Sequence, residues 1–144
     1  MMNQHIVSRI AIYILALVMI IFGIQHFIHP YDLLVKVPDF LPGGILWVYF
    51  VGVAFILAAL SFVTNIWVKT AAYLLALLLF IFVLGIHLPN FMDTADPTYR
   101  QMSLYNLLKD SALGAFALYI ASNARHQRIL EDVEPDEQAM RIEK

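Results

Sequence analysis

The fold is decided by residues 68–90, VKTAAYLLALLLFIFVLGIHLPN. Residues 68–88 form a nearly continuous apolar run, close to the ~20 residues that an α-helix needs to cross the core of a bilayer. A strand of a membrane barrel would alternate apolar and polar residues, and this run does not. Because a helix satisfies its backbone hydrogen bonds internally, the run predicts a membrane-spanning helix, ended by Pro89.

Three similar apolar runs lie outside this stretch, at residues 9–27, 44–63 and 107–122, and the last is the shortest. The chain is 61% hydrophobic and 14% charged, and its mean hydropathy is +0.74. Such a chain is too apolar for a soluble domain of 144 residues. The sequence therefore predicts an all-α membrane protein, an up-down bundle of four transmembrane helices. We place this transmembrane domain at residues 1–122 and a charged tail at 123–144.

Composition narrows the function classes further. The 9 Lys and Arg are balanced by 11 Asp and Glu, which leaves no basic patch for nucleic acid. With no cysteine, the chain has no disulfide, thiol relay or thiolate metal site. It also lacks a Gly-rich phosphate loop, a nucleophile elbow and a His-Glu-x-x-His motif. The lipid bilayer is the expected partner, and nucleic acid is not.

Prolines and short connections separate the apolar runs. Pro30 is predicted to end the first helix, and Pro38, Pro42 and the glycines after them favour an ordered turn before the second. The second and third helices, joined by residues 64–67, should be antiparallel neighbours. Residues 90–103 are predicted to form the longest wet loop between helices.

The distribution of positive charge predicts the orientation, because cytoplasmic loops retain Lys and Arg. The excess favours the side of the two termini, which we place in the cytoplasm of a bacterium, with the protein in the inner membrane. That side carries Arg9, Lys69, Arg125 and Arg128, against Lys36, Arg100 and Lys109 on the other.

Polar side chains concentrate at one end of the predicted bundle, where three helix ends share the outer leaflet. Asp110 heads a stripe of small residues, Gly114, Ala117 and Ala121, which should pack inside the bundle. Helical spacing aims His26 inward in the same way. An ionisable group inside a membrane is costly unless it is paired or hydrated, which points to function. We predict an outward-facing ligand pocket formed by Gln25, His26, His87, Asn90, Tyr105, Lys109 and Asp110.

Two other interpretations of these residues stay open. The side chains fit the membrane interface without any function, with Asp110 paired locally. His26 and His29, with His87 and Asp110, also supply metal-ligand types, but His-x-x-His at a helix end is common by chance. We therefore predict no metal site, and we assign no catalytic residue. The long stem of Lys109 allows it either to bend into the bundle or to snorkel outward.

Several short motifs are similar to those of a known membrane family. On them the chain resembles the DoxX-like four-helix bacterial membrane proteins over nearly all of residues 1–122. Members of that family often carry an acidic residue shortly after the glycine that corresponds to Gly52, where this chain has Val53, Ala54 and Phe55. The motifs are residues 23–30, the turn from Val37-Pro38 to Leu41-Pro42, Gly52, Ile86-His87-Leu88-Pro89-Asn90, and residues 106–110 before Ala112-Leu113-Gly114.

The resemblance implies a role in a membrane redox system. We expect an accessory subunit, without catalytic activity of its own, whose polar pocket binds a small lipophile such as a quinone, the candidate cofactor. Redox subunits or further copies of the chain are the candidate protein partners. The alternative is a membrane-protein assembly factor or chaperone-like helper without a small-molecule substrate. A small transporter would need a polar path to the opposite face, which the sequence does not show.

Overall fold

The computed structural model describes residues 2–37 and 41–142, and the side chains of residues 6–37 and 41–124. All regular elements in these residues are helical, which confirms the all-α prediction. The predicted turn residue Pro38 and the tail side chains of Arg125 and Arg128 lie outside the described set. The helices are α1 (Met2–Ile28), α2 (Pro30–Leu34), α3 (Ile45–Thr64), α4 (Val68–Phe82), a π-helical turn (Val83–His87), α5 (Leu88–Asp93) and α6 (Pro97–Ile142).

The described residues contain three helical stretches that are long and apolar enough to cross a membrane. These are Ile6–Ile28, Ile45–Thr64 and Val68–Asp93. The predicted fourth run, residues 107–122, lies within α6 and is not among them. Lys109 and Asp110 stand near the start of that run and lower its apolar character.

Local sequence explains most helix ends. α1 ends at Ile28, just before Pro30, as predicted. Pro30 is buried and also starts the short helix α2, because its fixed φ suits a first helical position. Between α3 and α4 the chain turns within three residues, where Asn65 and Trp67 both adopt left-handed φ values, 56° and 57°. Asn tolerates that conformation better than most residues. The short connection makes α3 and α4 sequential neighbours, and they pack against each other.

The prediction of a long wet loop at residues 90–103 is wrong. Residues up to Asp93 are helical, and α6 already begins at Pro97. Asp96 explains the early start, because its Oδ1 atom accepts hydrogen bonds from the backbone N–H groups of Thr98 (2.8 Å) and Tyr99 (3.4 Å). An Asp cap followed by proline at the first helical position is a strong helix start.

The prediction that the third helix ends at Pro89 is also wrong. The chain passes the proline through the π-helical turn Val83–His87, in which the Leu88 N–H bonds to the Val83 carbonyl. Proline lacks an N–H and its ring clashes with the carbonyl four residues earlier, here that of Gly85. Widening one turn relieves that conflict and lets helical structure continue through α5.

The helices pack through small residues. α1 lies along α3 and α4 lies along α6, and all four contribute to one core. α1 and α3 come closest where Gly23 faces Gly52: a Cβ built on Gly52 would lie 2.8 Å from His26 Cβ and 3.2 Å from the Gly23 carbonyl oxygen. Small residues permit such close approach in membranes. Seven alanines are buried in this core, at positions 16, 58, 59, 72, 76, 117 and 121.

Candidate functional site

The most buried charged contact in the described part of the chain joins the π-helical turn to α6. His87 Nε2 lies 2.9 Å from Asp110 Oδ2, and the two side chains are 10% and 7% exposed. A carboxylate oxygen only accepts hydrogen bonds, so Nε2 carries the proton and donates it. Asp110 lies on the buried stripe with Gly114 and Ala117, as its spacing predicted. The pair therefore links two helices inside the bundle.

The second ring nitrogen of His87 is available for chemistry. Within the described residues, Nδ1 makes no hydrogen bond, and every fully buried side-chain nitrogen or oxygen there has a partner. Nδ1 therefore keeps some accessible surface. With Nε2 protonated and held by Asp110, Nδ1 is the proton-accepting atom of a neutral His87.

Lys109 completes the site by bending inward, the orientation that the sequence left open. Its Nζ atom lies 3.3 Å from Asp110 Oδ1 and 4.7 Å from the centre of the Phe22 ring on α1. It also donates a hydrogen bond to Asn106 Oδ1 at 3.3 Å. The Lys109 side chain is 41% exposed, so its ammonium group is both held by the protein and accessible. We call His87, Asp110 and Lys109 the charged cluster.

His26 lies beside this cluster, on α1. Its Nδ1 atom donates a 2.7 Å hydrogen bond to the Phe22 carbonyl, because a carbonyl only accepts. Its ring packs edge-on against Phe55, with ring centres 5.4 Å apart. The Phe22 ring also contacts the Lys109 ammonium, so His26 and the charged cluster share a neighbour on α1. His26 therefore belongs to the same end of the bundle without bonding directly to Asp110.

Lys36 is a residue whose surroundings the sequence did not predict. It follows α2, where its backbone N–H donates to the Leu33 carbonyl at 3.0 Å, and its side chain is partly buried. Burial, together with the positive charge of Lys109, holds the pKa of Lys36 below its ordinary value, and Asp110 partly offsets this. In the sequence, Lys36 contributes only to the charge distribution, because a lysine between two helices gives no indication of how far its side chain is buried.

Three other residues of the predicted pocket lie away from the charged cluster. Asn90 donates a 3.2 Å hydrogen bond to the Tyr99 hydroxyl, which ties α5 to α6. Tyr105 is 60% exposed, and its hydroxyl accepts a bond from Gln101. Gln25 is exposed on α1. The structure thus brings together His26, His87, Lys109 and Asp110, and it leaves Gln25, Asn90 and Tyr105 at the periphery.

The ligand types for a metal do not converge in the described residues. No group of three or more His, Cys, Asp and Glu side chains there is placed to hold an ion. His29, one of the candidate ligands, faces outward and lies 3.6 Å from the exposed Asp32. The one carboxylate in the charged cluster is already shared between His87 and Lys109.

The fold and the site together define a class of protein: a helical membrane protein with an imidazole, a carboxylate and an ammonium group held in contact at one end of the bundle. Residues 35–124 match the family model of CobS, cobalamin-5-phosphate synthase. The match covers more than half of the 144 residues, so the chain belongs to the CobS family. Comparisons with curated proteins and with solved structures give no match.

This membership corrects the family predicted from sequence. The assignment to the DoxX-like proteins is wrong, and with it the function of a redox accessory subunit with a quinone pocket. The alternative of an assembly factor without a small-molecule substrate is wrong for the same reason. The DoxX-like motifs were short runs of Gly, Pro, His and Leu, residues that helix ends and close packing favour in many membrane proteins.

The matched stretch includes most of the residues described above. Lys36, His87, Lys109 and Asp110 all lie inside residues 35–124, whereas His26 lies outside them. The charged cluster and Lys36 therefore belong to the part of the chain that defines the family membership.

Proposed function

We propose that the protein is a membrane-embedded synthase of the cobalamin-5-phosphate type, with the charged cluster as its active site. The observation that carries this proposal is the buried 2.9 Å contact between His87 and Asp110, with Lys109 on the other carboxylate oxygen. Charged groups within the membrane are expensive and are retained for function. The family name supplies the product class, a phosphate-bearing corrinoid.

We infer a role for each side chain of the charged cluster. A hydroxyl group that attacks phosphorus loses its proton, and His87 Nδ1 accepts that proton as a general base. The new oxygen–phosphorus bond forms as the bond to the leaving group breaks, and the leaving group keeps that electron pair. Asp110 fixes the imidazole through Nε2 and balances its positive charge. Lys109 binds phosphate oxygens, where negative charge gathers.

The test is complementation of a bacterial strain that lacks its cobalamin-5-phosphate synthase, grown where cobalamin is required. The wild-type chain should restore growth, and Asp110→Asn should not, because the amide cannot balance a protonated His87. Asp93→Asn is the matched control, since Asp93 is exposed at the end of α5. Failure of the wild-type chain to restore growth, despite its presence in the membrane, would reject the proposed activity.

We also propose the arrangement in the membrane. α6 crosses the bilayer as a fourth span through residues 107–122, supported by the burial of Ala117, Ile120 and Ala121 in the common core. The termini, including the tail at residues 123–144, lie in the cytoplasm of a bacterium with the protein in the inner membrane. Exposed apolar side chains on α1, α3 and α4 contact lipid, and a homo-oligomer stays a prediction.

The absence of cysteine makes this topology easy to test. Ile66 lies between α3 and α4 and Ala95 lies between α5 and α6, so single cysteines there would mark opposite ends of the proposed bundle; both residues are exposed. A membrane-impermeant maleimide added to intact cells should label Ala95→Cys and spare Ile66→Cys. The reverse pattern would invert the proposed orientation.

A further inference from the structure

The ammonium group of Lys109 is held from three directions. Asn106 Oδ1 accepts a hydrogen bond from its Nζ atom at 3.3 Å, and Asp110 Oδ1 lies 3.3 Å from the same atom. The third contact is aromatic: the Phe22 ring centre lies 4.7 Å from Nζ, inside the ~6 Å range of cation–π attraction. The first two partners belong to α6 itself, whereas Phe22 belongs to α1.

Phe22 draws the Lys109 side chain toward the bundle. Lys109 is exposed on α6, and a long lysine stem extends toward water or lipid headgroups when nothing holds its ammonium group. Asn106 and Asp110 lie on the same helix as Lys109, so they do not tie it to a neighbour. Within the described residues, Phe22 is the one hydrogen-bonding, ionic or ring partner of this ammonium on another helix.

The Phe22 ring is itself fixed by the bundle. Its centre lies 6.4 Å from that of Phe55, and Phe55 in turn meets Phe82 at 6.5 Å, within the range of favourable ring pairs. These rings come from α1, α3 and the end of α4, and Phe55 is buried. The Phe22 carbonyl also accepts the hydrogen bond from His26. A ring supported in this way gives Lys109 a fixed point of attachment.

Resting on the proposed function, we infer that Phe22 is a positioning residue that aims Lys109 at a phosphate group of the substrate. The ring attracts the charge of the ammonium as a whole, so it accepts no particular hydrogen bond. Lysine carries three N–H donors. With one on Asn106 and one directed at Asp110, the third remains for a phosphate oxygen, and the Lys109 side chain is exposed enough to offer it.

The inference extends the active site to α1. Phe22 lies outside residues 35–124, the stretch that matches the family model. The ammonium that binds phosphate therefore depends on a helix that the match does not include.

Fluorination of the Phe22 ring tests this role with little change in packing. Fluorine atoms withdraw charge from the ring face and weaken cation–π attraction, while the ring keeps nearly the same shape. The full-length protein should carry monofluoro-, difluoro- or trifluorophenylalanine at position 22. Each form should be titrated calorimetrically with inorganic pyrophosphate in neutral detergent, and circular dichroism should show that it is folded.

Three natural substitutions complete the series. Phe22→Leu removes the ring, and Phe22→Tyr keeps an aromatic face. Tyr73→Leu is the matched control, because it removes the 5.9 Å cation–π contact of Lys69. Lys69 lies near the start of α4, whereas His87 of the charged cluster follows the other end of that helix.

Pyrophosphate should bind the parent chain, and binding should weaken stepwise with each added fluorine, by about three- to fivefold for the trifluoro ring. Phe22→Leu should weaken it at least as much, whereas Phe22→Tyr and Tyr73→Leu should bind like the parent. Weaker binding in Phe22→Leu alone, with an unchanged fluorinated series, would assign Phe22 to packing and overturn the positioning role. A parent chain that does not bind pyrophosphate would overturn it too.

Complementation separates this inference from the proposed function. If the parent chain restores growth but fluorination leaves pyrophosphate binding unchanged, the synthase stands and the positioning role fails. If the parent chain does not restore growth but fluorination weakens pyrophosphate binding, the synthase fails and Phe22 still positions an anion-binding Lys109.

Discussion

Replacing Gly52 with alanine tests the close approach of α1 and α3, which sets the position of His26. The new Cβ would lie 2.8 Å from His26 Cβ and 3.0 Å from a Phe27 ring carbon. Ordinary contact begins near 3.4 Å, so α1 must retreat by ~0.6 Å. His26 Cβ is fixed to the helix backbone, and no side-chain rotation relieves this contact.

Gly85→Ala is the matched control. No atom lies within 4 Å of a Cβ built on Gly85. Each change restricts the unfolded backbone and should gain about 0.4–1 kcal/mol, so the difference between the two variants isolates the overpacking. That difference should be about 1–3 kcal/mol, which corresponds to a melting temperature about 4–12 °C lower for Gly52→Ala than for Gly85→Ala.

The assay is thermal unfolding of the purified variants in one detergent, followed by circular dichroism. Both proteins should be fully helical at low temperature, because neither change breaks a hydrogen bond. Melting of the two variants at the same temperature would refute the close approach of α1 and α3.

Three further predictions address single elements. Asp96→Ala removes the cap of α6 and should cost about 1 kcal/mol, seen as faster amide hydrogen exchange in the first turn; unchanged exchange would contradict the capping role. Pro89→Ala restores an N–H and should let the π-helical turn relax to α-helix, so complementation through His87 should fall while the melting temperature holds or rises. Burial and the charge of Lys109 lower the folded-state pKa of Lys36; the unfolded chain therefore binds more protons between the two pKa values, and stability should rise with pH across that alkaline interval. Lys36→Gln should remove this rise. The measurement is the melting temperature of both proteins between pH 8 and 11, a range of ~3 pH units around the ordinary lysine pKa. An identical rise in both proteins would contradict the lowered pKa of Lys36.

The fold was largely predictable because membrane insertion depends on average apolarity over long runs. Residues 9–27 and 44–63 coincide with α1 and α3 to within a few residues, apart from the extension of α1 toward the N-terminus, and residues 68–88 cover α4 and the π-helical turn after it. Average apolarity does not identify α6 as clearly, because this helix carries polar residues beside its buried stripe of small residues. The helix also begins earlier than its apolar run, because the capping geometry of Asp96 is local and independent of apolarity.

The site was predictable in part, from helical spacing. Asp110 was expected to face inward because small residues follow it at three- and four-residue intervals, and the structure buries it at 5% exposure. Tyr105 and Gln25 were grouped with it only by their position along the chain. Rotation around a helix decides whether a residue near a helix end joins a cluster, and both of these residues face outward.

Lys36 shows what spacing cannot provide. It lies outside the regular periodicity of the long helices, so its position depends on how α2 packs and how the following turn closes. The sequence grouped His87 with Asp110 in one pocket, but it did not predict their direct 2.9 Å contact, because the π-helical turn was not expected. His87 is the last residue of that turn, so the turn contributes to the direction in which its side chain points.

The segment that contains the π-helical turn determines two properties, insertion into the membrane and the contact between His87 and Asp110, and they differ in their sensitivity to its length. Deleting a single residue among 84–86 would leave the segment long enough to remain inserted in lipid, yet would swing the imidazole by about 100° around its axis. Insertion tolerates such a length change, whereas contact between imidazole and carboxylate does not. Descendants of one ancestral gene could therefore keep the same membrane anchor while losing, or regaining, their reactivity through an indel of one codon.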